Sequence, residues 1–215
     1  MSSLILAIDT THESGSLALV RGGETLDETV LRAPTGFAHV LYGHIDALLR
    51  RNGLRLAEVD CFAAASGPGS FTGVRVGLAC VKGLAEALGK PAAAVSNLRA
   101  IASFGTLPLR AAVLDARRGE VYGAVYDGAG KLAAPETVAP LPAWLESLPA
   151  GEMEFVVSGF VPQLVGTRFA DTHIVTAPEA LAAAIGRLAG NGGDPAALDA
   201  NYVRRSDAEL LWKDI

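Results

Sequence analysis

The chain has 215 residues, half of them hydrophobic, and a formal net charge of −5 at pH 7. That is enough to bury one large core or two small ones, while the acidic balance speaks against a protein that grips nucleic acid unaided. No apolar stretch approaches the roughly 20 residues of a membrane span, and the start MSSLILAIDT is too short an apolar run for a signal peptide.

LILAIDT reads as a buried strand ending on Asp9, SGSLALVRGG as a second strand closed by a Gly-Gly turn, and TLDETVL as a third with alternating pattern. A helix is predicted over 36–51, with Phe37, Val40, Leu41, Ile45, Leu48 and Leu49 at helical spacing. VDCFAAAS is apolar throughout, as a strand covered on both faces would be. SGPGSFTGVRVGLACVKGLAEALG opens on a turn and runs into a helix that Ser70 or Thr72 caps and Gly89 with Pro91 ends. A short strand, PAAAV, and a helix capped by Ser96 close the first half.

The second half repeats that order. RAAVLDA is a strand ending at Asp115, EVYGAVYDG and KLAAPETV are the next two, and PLPAWLESL is a helix, followed by the strand EFVVSG and the helix APEALAAAIGRLAG. Asp9 stands as far from Gly22 as Asp115 does from Gly128. The repeated order predicts a duplicated α/β unit, the two-lobed RNase H-like architecture of the actin, Hsp70 and sugar-kinase superfamily. The expected lobes are 1–106 and 107–197, with a tail, 198–215, packing back on the first. Cys61 and Cys80 lie in apolar settings without a CxxC pattern, which suits free thiols of a soluble cytoplasmic protein.

The glycine-rich stretch does not read as a phosphate cradle. GPGSFTG lacks the GK[ST] of a P-loop, Pro68 removes one N–H, and no GxGxxG occurs. On a helical wheel, residues 73–88 place Arg75, Lys82 and Glu86 in one narrow strip and leave the remaining surface apolar or small. Val74, Leu78, Val81, Leu84, Ala85 and Leu88 form a large-residue side; Gly73, Gly77, Ala79, Cys80, Gly83 and Ala87 form a small one, with Val76 between. A glycine inside a helix costs about 1 kcal/mol relative to alanine, so three of them imply the close approach of another backbone. Gly36, Gly43 and Ala47, with Val40 beside them, make a matching ridge on the preceding helix. Either the two ridges pack on each other within the fold, or together they offer a face to a second protein.

Other chemistries find less support. His39 and His44 are five residues apart, the wrong spacing for a shared metal on a helix, and HExxH is absent, so no metal site is expected. No catalytic residue is assigned either: SGPGS around Ser66 and Ser70 is not a GxSxG elbow. Asp9, Thr10, Gly69 and Ser70 with Asp115, Arg117 and Glu120 mark the turns where nucleotide-using relatives of this architecture hold phosphate and metal. An Asp capping its own turn explains both acids as well, so the nucleotide expectation is limited to weak or shared binding, with no cofactor assigned. Arg204, Arg205 and Lys213 beside Tyr202 form a small basic cluster, either a solvated docking segment or part of a composite tRNA surface.

ILAIDTTHESGSLAL, GPGSFTGVRVGLACVKGLA, AVSNLRAIA, LDARRGEVYGAVY and NYVRRSDAELLWK together resemble the TsaB (YeaZ) family. The resemblance runs from residue 4 to about 213. It implies a non-catalytic subunit of the bacterial machinery that forms threonylcarbamoyladenosine in tRNA. Such a subunit binds a TsaD-type transferase through N-terminal-lobe helices, is joined by a TsaE-type ATPase, meets tRNA only within the complex, and self-associates through the same face when alone. The older M22 glycoprotease label comes from homology to the transferase. The resemblance departs before the first helix, where the family's His-Ser pair falls on Phe37-Ala38, so no role passes to His39. The alternative from another class is an ATP-dependent phosphotransferase using the cleft between the lobes.

Overall fold

Each half of the chain builds a five-stranded mixed sheet. The structure, a computed structural model, describes residues 2–159 and 163–204. In the first unit β1 (Leu4–Asp9) is central, antiparallel to β2 (Ser14–Arg21), which pairs with β3 (Glu24–Arg32). On its other side β1 runs parallel to β4 (Cys61–Ala65), which carries β5 (Ala92–Val95). The second unit repeats the plan around β6 (Leu109–Asp115). There β7 (Glu120–Asp127) and β8 (Leu132–Pro140) are antiparallel on one side, and β9 (Met153–Val157) and β10 (Ile174–Thr176) parallel on the other. The orders β3-β2-β1-β4-β5 and β8-β7-β6-β9-β10 correspond strand for strand. This is the duplicated two-lobed architecture expected of the actin, Hsp70 and sugar-kinase type.

Alternation along β1 explains its continuous apolarity. Leu4, Leu6 and Ile8 face α1 (Leu41–Arg51) and α2 (Phe71–Leu88) on the outer side of the sheet, while Ile5 and Ala7 face a second core on the inner side. The helix predicted over 36–51 begins only at Leu41. Gly36 holds φ +96°, and the N–H groups of Val40 and Leu41 both bond to Phe37 O, so the chain turns before it coils. For α2 the predicted ends hold: Ser70 Oγ accepts from Gly73 N, and Gly89 closes the helix in the left-handed region.

The inner core joins the two units. α3 (Asn97–Ala102) packs on β6, β7 and β9, whereas α5 (Ala182–Leu188) packs on β1, β2 and β4. Each half's last helix therefore covers the other half's sheet, and the apolar cluster between them draws on both. α5 is shorter than the predicted APEALAAAIGRLAG. Its start is held by the first sheet: Ser16 Oγ accepts from Leu181 N and Ala182 N, and Glu28 Oε1 accepts from Ala183 N at 2.7 Å. Burial pushes the Glu28 carboxyl above its ordinary range, against the pull of that N–H and of Arg187. β10 was not anticipated; three residues give too little pattern to read.

One ion pair pins α1 to the sheet edge. Arg51 Nε and Nη2 donate to the two carboxyl oxygens of Asp27 at 2.5 and 2.8 Å, and Asn52 Nδ2 adds a third bond. The Arg51 bond holds the Asp27 carboxyl below its ordinary range, with burial opposing and the Asn52 bond assisting. A folded-state pKa below the unfolded one stabilises above the unfolded value and fades as pH falls through the folded one. Asp27→Asn should therefore cost about 0.5–1 kcal/mol at neutral pH, since the pair is partly solvated. In denaturant melts the gap to wild type should close below about pH 4.

Candidate functional site: the cleft between lobes and a small-residue ridge

The carboxyl ends of β1 and β6 face a cleft of about 530 Å³ lined from both units. Asp9, at 2 % exposure, is already engaged: its Oδ1 accepts from Thr11 N at 2.9 Å and Thr11 Oγ1 at 2.6 Å. Asp115 repeats that turn in the second unit, its Oδ1 accepting from Arg117 N at 2.7 Å. Arg117 reaches across to Glu13 at 3.3 Å, and Glu120 pairs with Arg204. Thr10, Gly69, Ser70, Asp115 and Arg117 line the cleft, whereas Asp9 is buried behind Thr11 and Glu120 stands behind Arg204, and each of the three acids Asp9, Asp115 and Glu120 holds a partner from the chain itself. Among the described residues no three His, Cys, Asp or Glu side chains converge as a metal site.

The glycine-rich loop is fastened to the β1–β2 turn. Ser70 N donates to Thr11 O at 2.7 Å, and Thr10 Oγ1 donates to Gly73 O at 2.7 Å. A Cβ on Gly69 would stand 2.6 Å from Thr11 O, one on Gly73 1.9 Å from Thr10 O, and one on Gly77 2.8 Å from Thr10 Oγ1. Gly73 and Gly77, expected on the partner face, therefore point inward. What they admit is Thr10 of the chain's own turn, its carbonyl at Gly73 and its hydroxyl at Gly77. Behind them sits a residue that sequence reasoning passed over: Asn97, wholly buried, donates from Nδ2 to Thr11 Oγ1 at 2.7 Å and accepts at Oδ1 from Gly67 N at 3.0 Å. Its signal was an amide placed directly after the capping Ser96 in AVSNLRAIA.

The rest of the ridge faces outward. An added Cβ at Gly36, Gly43 or Gly83 would meet nothing within 4 Å among the described residues. Ala47, Ala79 and Ala87 are exposed, Val40 and Val76 half-buried, and Tyr42 is 57 % exposed. The two helices do not interlock through Gly43 and Gly83, so the cost of glycine there is recovered by no contact inside the described chain. Cys80, expected on this face, is instead 5 % exposed beside Tyr42, and burial pushes its thiol up to about 11. It stays protonated and is no nucleophile. His39 bonds Thr35 at 3.0 Å at the rim. Of the basic cluster, Arg204 is committed to Glu120, while Arg205 and Lys213 lie outside the described residues.

Two lobes of one plan, a cleft between them and an exposed ridge on the first define the class of the protein as two-lobed α/β of the RNase H-like kind. The chain belongs to the TsaD family: the model described as "TsaD: tRNA N6-adenosine threonylcarbamoyltransferase" matches residues 32–185. Within that family it is similar to TsaB proteins. It is 28% identical to the tRNA threonylcarbamoyladenosine biosynthesis protein TsaB of Bacillus subtilis over 97% of both chains. Against the protein of the same name from Haemophilus influenzae it is 41% identical over 55% of this chain, a match that spans about half, 51%, of that relative. The solved structure of YeaZ from Pseudomonas aeruginosa is 27% identical, covers 93% of this chain and 99% of its own, and gives a TM-score of 0.72. No helix among the described residues is long and apolar enough to cross a membrane.

Proposed function

We propose that the chain serves the formation of threonylcarbamoyladenosine at the tRNA adenosine next to the anticodon, as a non-catalytic subunit. It docks on a TsaD-type transferase through the outward ridge of α1 and α2, a TsaE-type ATPase joins the pair, and tRNA enters only with the assembled complex. Alone, the chain self-associates through the same ridge. The observation that carries this reading is the open space above Gly43 and Gly83, two helical glycines that no contact among the described residues requires to be glycine. Engagement of Asp9 and Asp115 in their own turns supports the absence of a catalytic role. Gly43→Leu tests it: the side chain projects into solvent, so the variant should fold as wild type yet lose about a hundredfold in affinity for the transferase on co-elution. Full co-elution of a folded variant would remove the ridge from the interface.

The cleft supports a second reading, in which weak or shared nucleotide binding, or an ATP-dependent phosphotransfer, occupies its roughly 530 Å³ between Thr10 and Asp115. Titration of the isolated chain with magnesium-ATP and a hydrolysis assay separate the two. Turnover by the lone chain favours the enzyme.

A further inference from the structure

Consecutive contacts of the tail alternate between the two units. Asn201 N donates to Ser66 O at 2.8 Å, at the end of β4, while Asn201 Nδ2 donates to Glu136 Oε2 on β8. Tyr202 OH then accepts from Arg75 Nε on α2 at 2.9 Å. Arg204 returns to the second unit, donating to Ala116 O at 2.9 Å and to Glu120 Oε2. The backbone of the strap lies close against the first unit, since a Cβ on Gly67 would stand 3.0 Å from Asn201 O.

Glu136 is the knot. Besides Asn201, its carboxylate accepts from Ser96 Oγ, the cap of α3, and from Tyr126 OH on β7. Burial, reinforced by the carboxylate itself, pushes the Tyr126 phenol up, so it remains a donor. One half-buried side chain of the second unit thereby gathers the start of a first-unit helix, a strand of its own sheet and the tail.

We infer that residues 201–204 are a suture across the seam between the lobes, fastened at Glu136, that sets how far the cleft opens. The apolar cluster around α3 and α5 acts as the pivot, because it is buried and shared by both sheets. At the rim the direct pair, Glu13 with Arg117, is 92 % and 75 % exposed and contributes little. The suture's bonds are half-buried and charge-assisted at Glu136 and at Arg204, the stronger kind. Arg204 also lines the cleft, so lifting the strap alters the wall and the width together.

Spin labels on cysteines placed at His44 on α1 and Glu146 on α4 (Leu141–Ser147), both exposed, report the separation of the lobes when the labelled chain is diluted in excess unlabelled chain, while the native Cys61 and Cys80 are buried. The parent should give one narrow distance distribution. Asn201→Ala, which removes only the amide bond to Glu136, and Glu136→Ala, which removes the knot, should both broaden it toward longer distances. Hydrogen exchange at the Asn201 amide should quicken at least about tenfold in both. An unchanged distribution despite rapid exchange overturns the suture, and so does an Asn201 amide as protected in Glu136→Ala as in the parent. Should Glu136→Ala not fold, Asn201→Ala decides alone.

Discussion

Gly73→Ala is expected to destabilise the chain by about 3 kcal/mol or more, and Gly83→Ala to stabilise it by up to about 1 kcal/mol. Both are glycines of the same helix, and a propensity argument would treat them alike. They differ in what a methyl group meets. At Gly73 it would sit 1.9 Å from Thr10 O, a backbone atom held in the β1–β2 turn, so α2 must lift from the sheet that Val74, Leu78 and Val81 cover. At Gly83 it meets nothing within 4 Å among the described residues, and only the entropic gain of losing glycine remains. Urea melts with equal slopes would measure both. Equal midpoints for the two variants would mean that the inward contact does not decide the stability of α2.

The second large effect is expected at Asn97. Asn97→Ala leaves the Gly67 N–H without its partner, and takes from Thr11 Oγ1, which still donates to Asp9, the bond it accepts, in a site at 0 % exposure. A buried orphan costs about 1–3 kcal/mol, so a loss of about 2 kcal/mol is expected, with faster exchange at the Gly67 amide. Asn97→Asp should do no better, since it brings a charge into the same closed space. A variant that melts with wild type would show that water replaces the amide, and that the loop is held by Ser70 N and Thr11 O instead.

The order of strands and helices was legible because the pattern is regular where both faces of a sheet are covered, as in LILAID and CFAAA. The ends of α2 could be read from Ser70 and Gly89, whose backbone roles follow from residue type. What sequence hid was direction. Gly73, Gly77 and Gly83 share one side of a wheel, yet the wheel says nothing of the β1–β2 turn that rises against the helix's first two turns and stops short of its last. Cys80 disappeared beneath Tyr42 for the same reason, a contact between elements far apart in the chain. The crossing of α3 and α5 was equally hidden: ALAAAIGRL marks a helix of small residues but not which sheet receives it. At the cleft, Asp9 and Asp115 were found by position and their partners by residue type, whereas Asn97 is joined to Gly67 and Thr11, and Glu136 to Asn201, across 30 to 86 residues.

The account rests on the outward ridge being built for another protein. Its most direct test is a calorimetric titration of a TsaD-type transferase with the wild-type chain and with Gly83→Leu, after melts confirm that both are folded. A loss of about a hundredfold in affinity, with no loss of stability, is the predicted result. Identical binding isotherms for the two would contradict it.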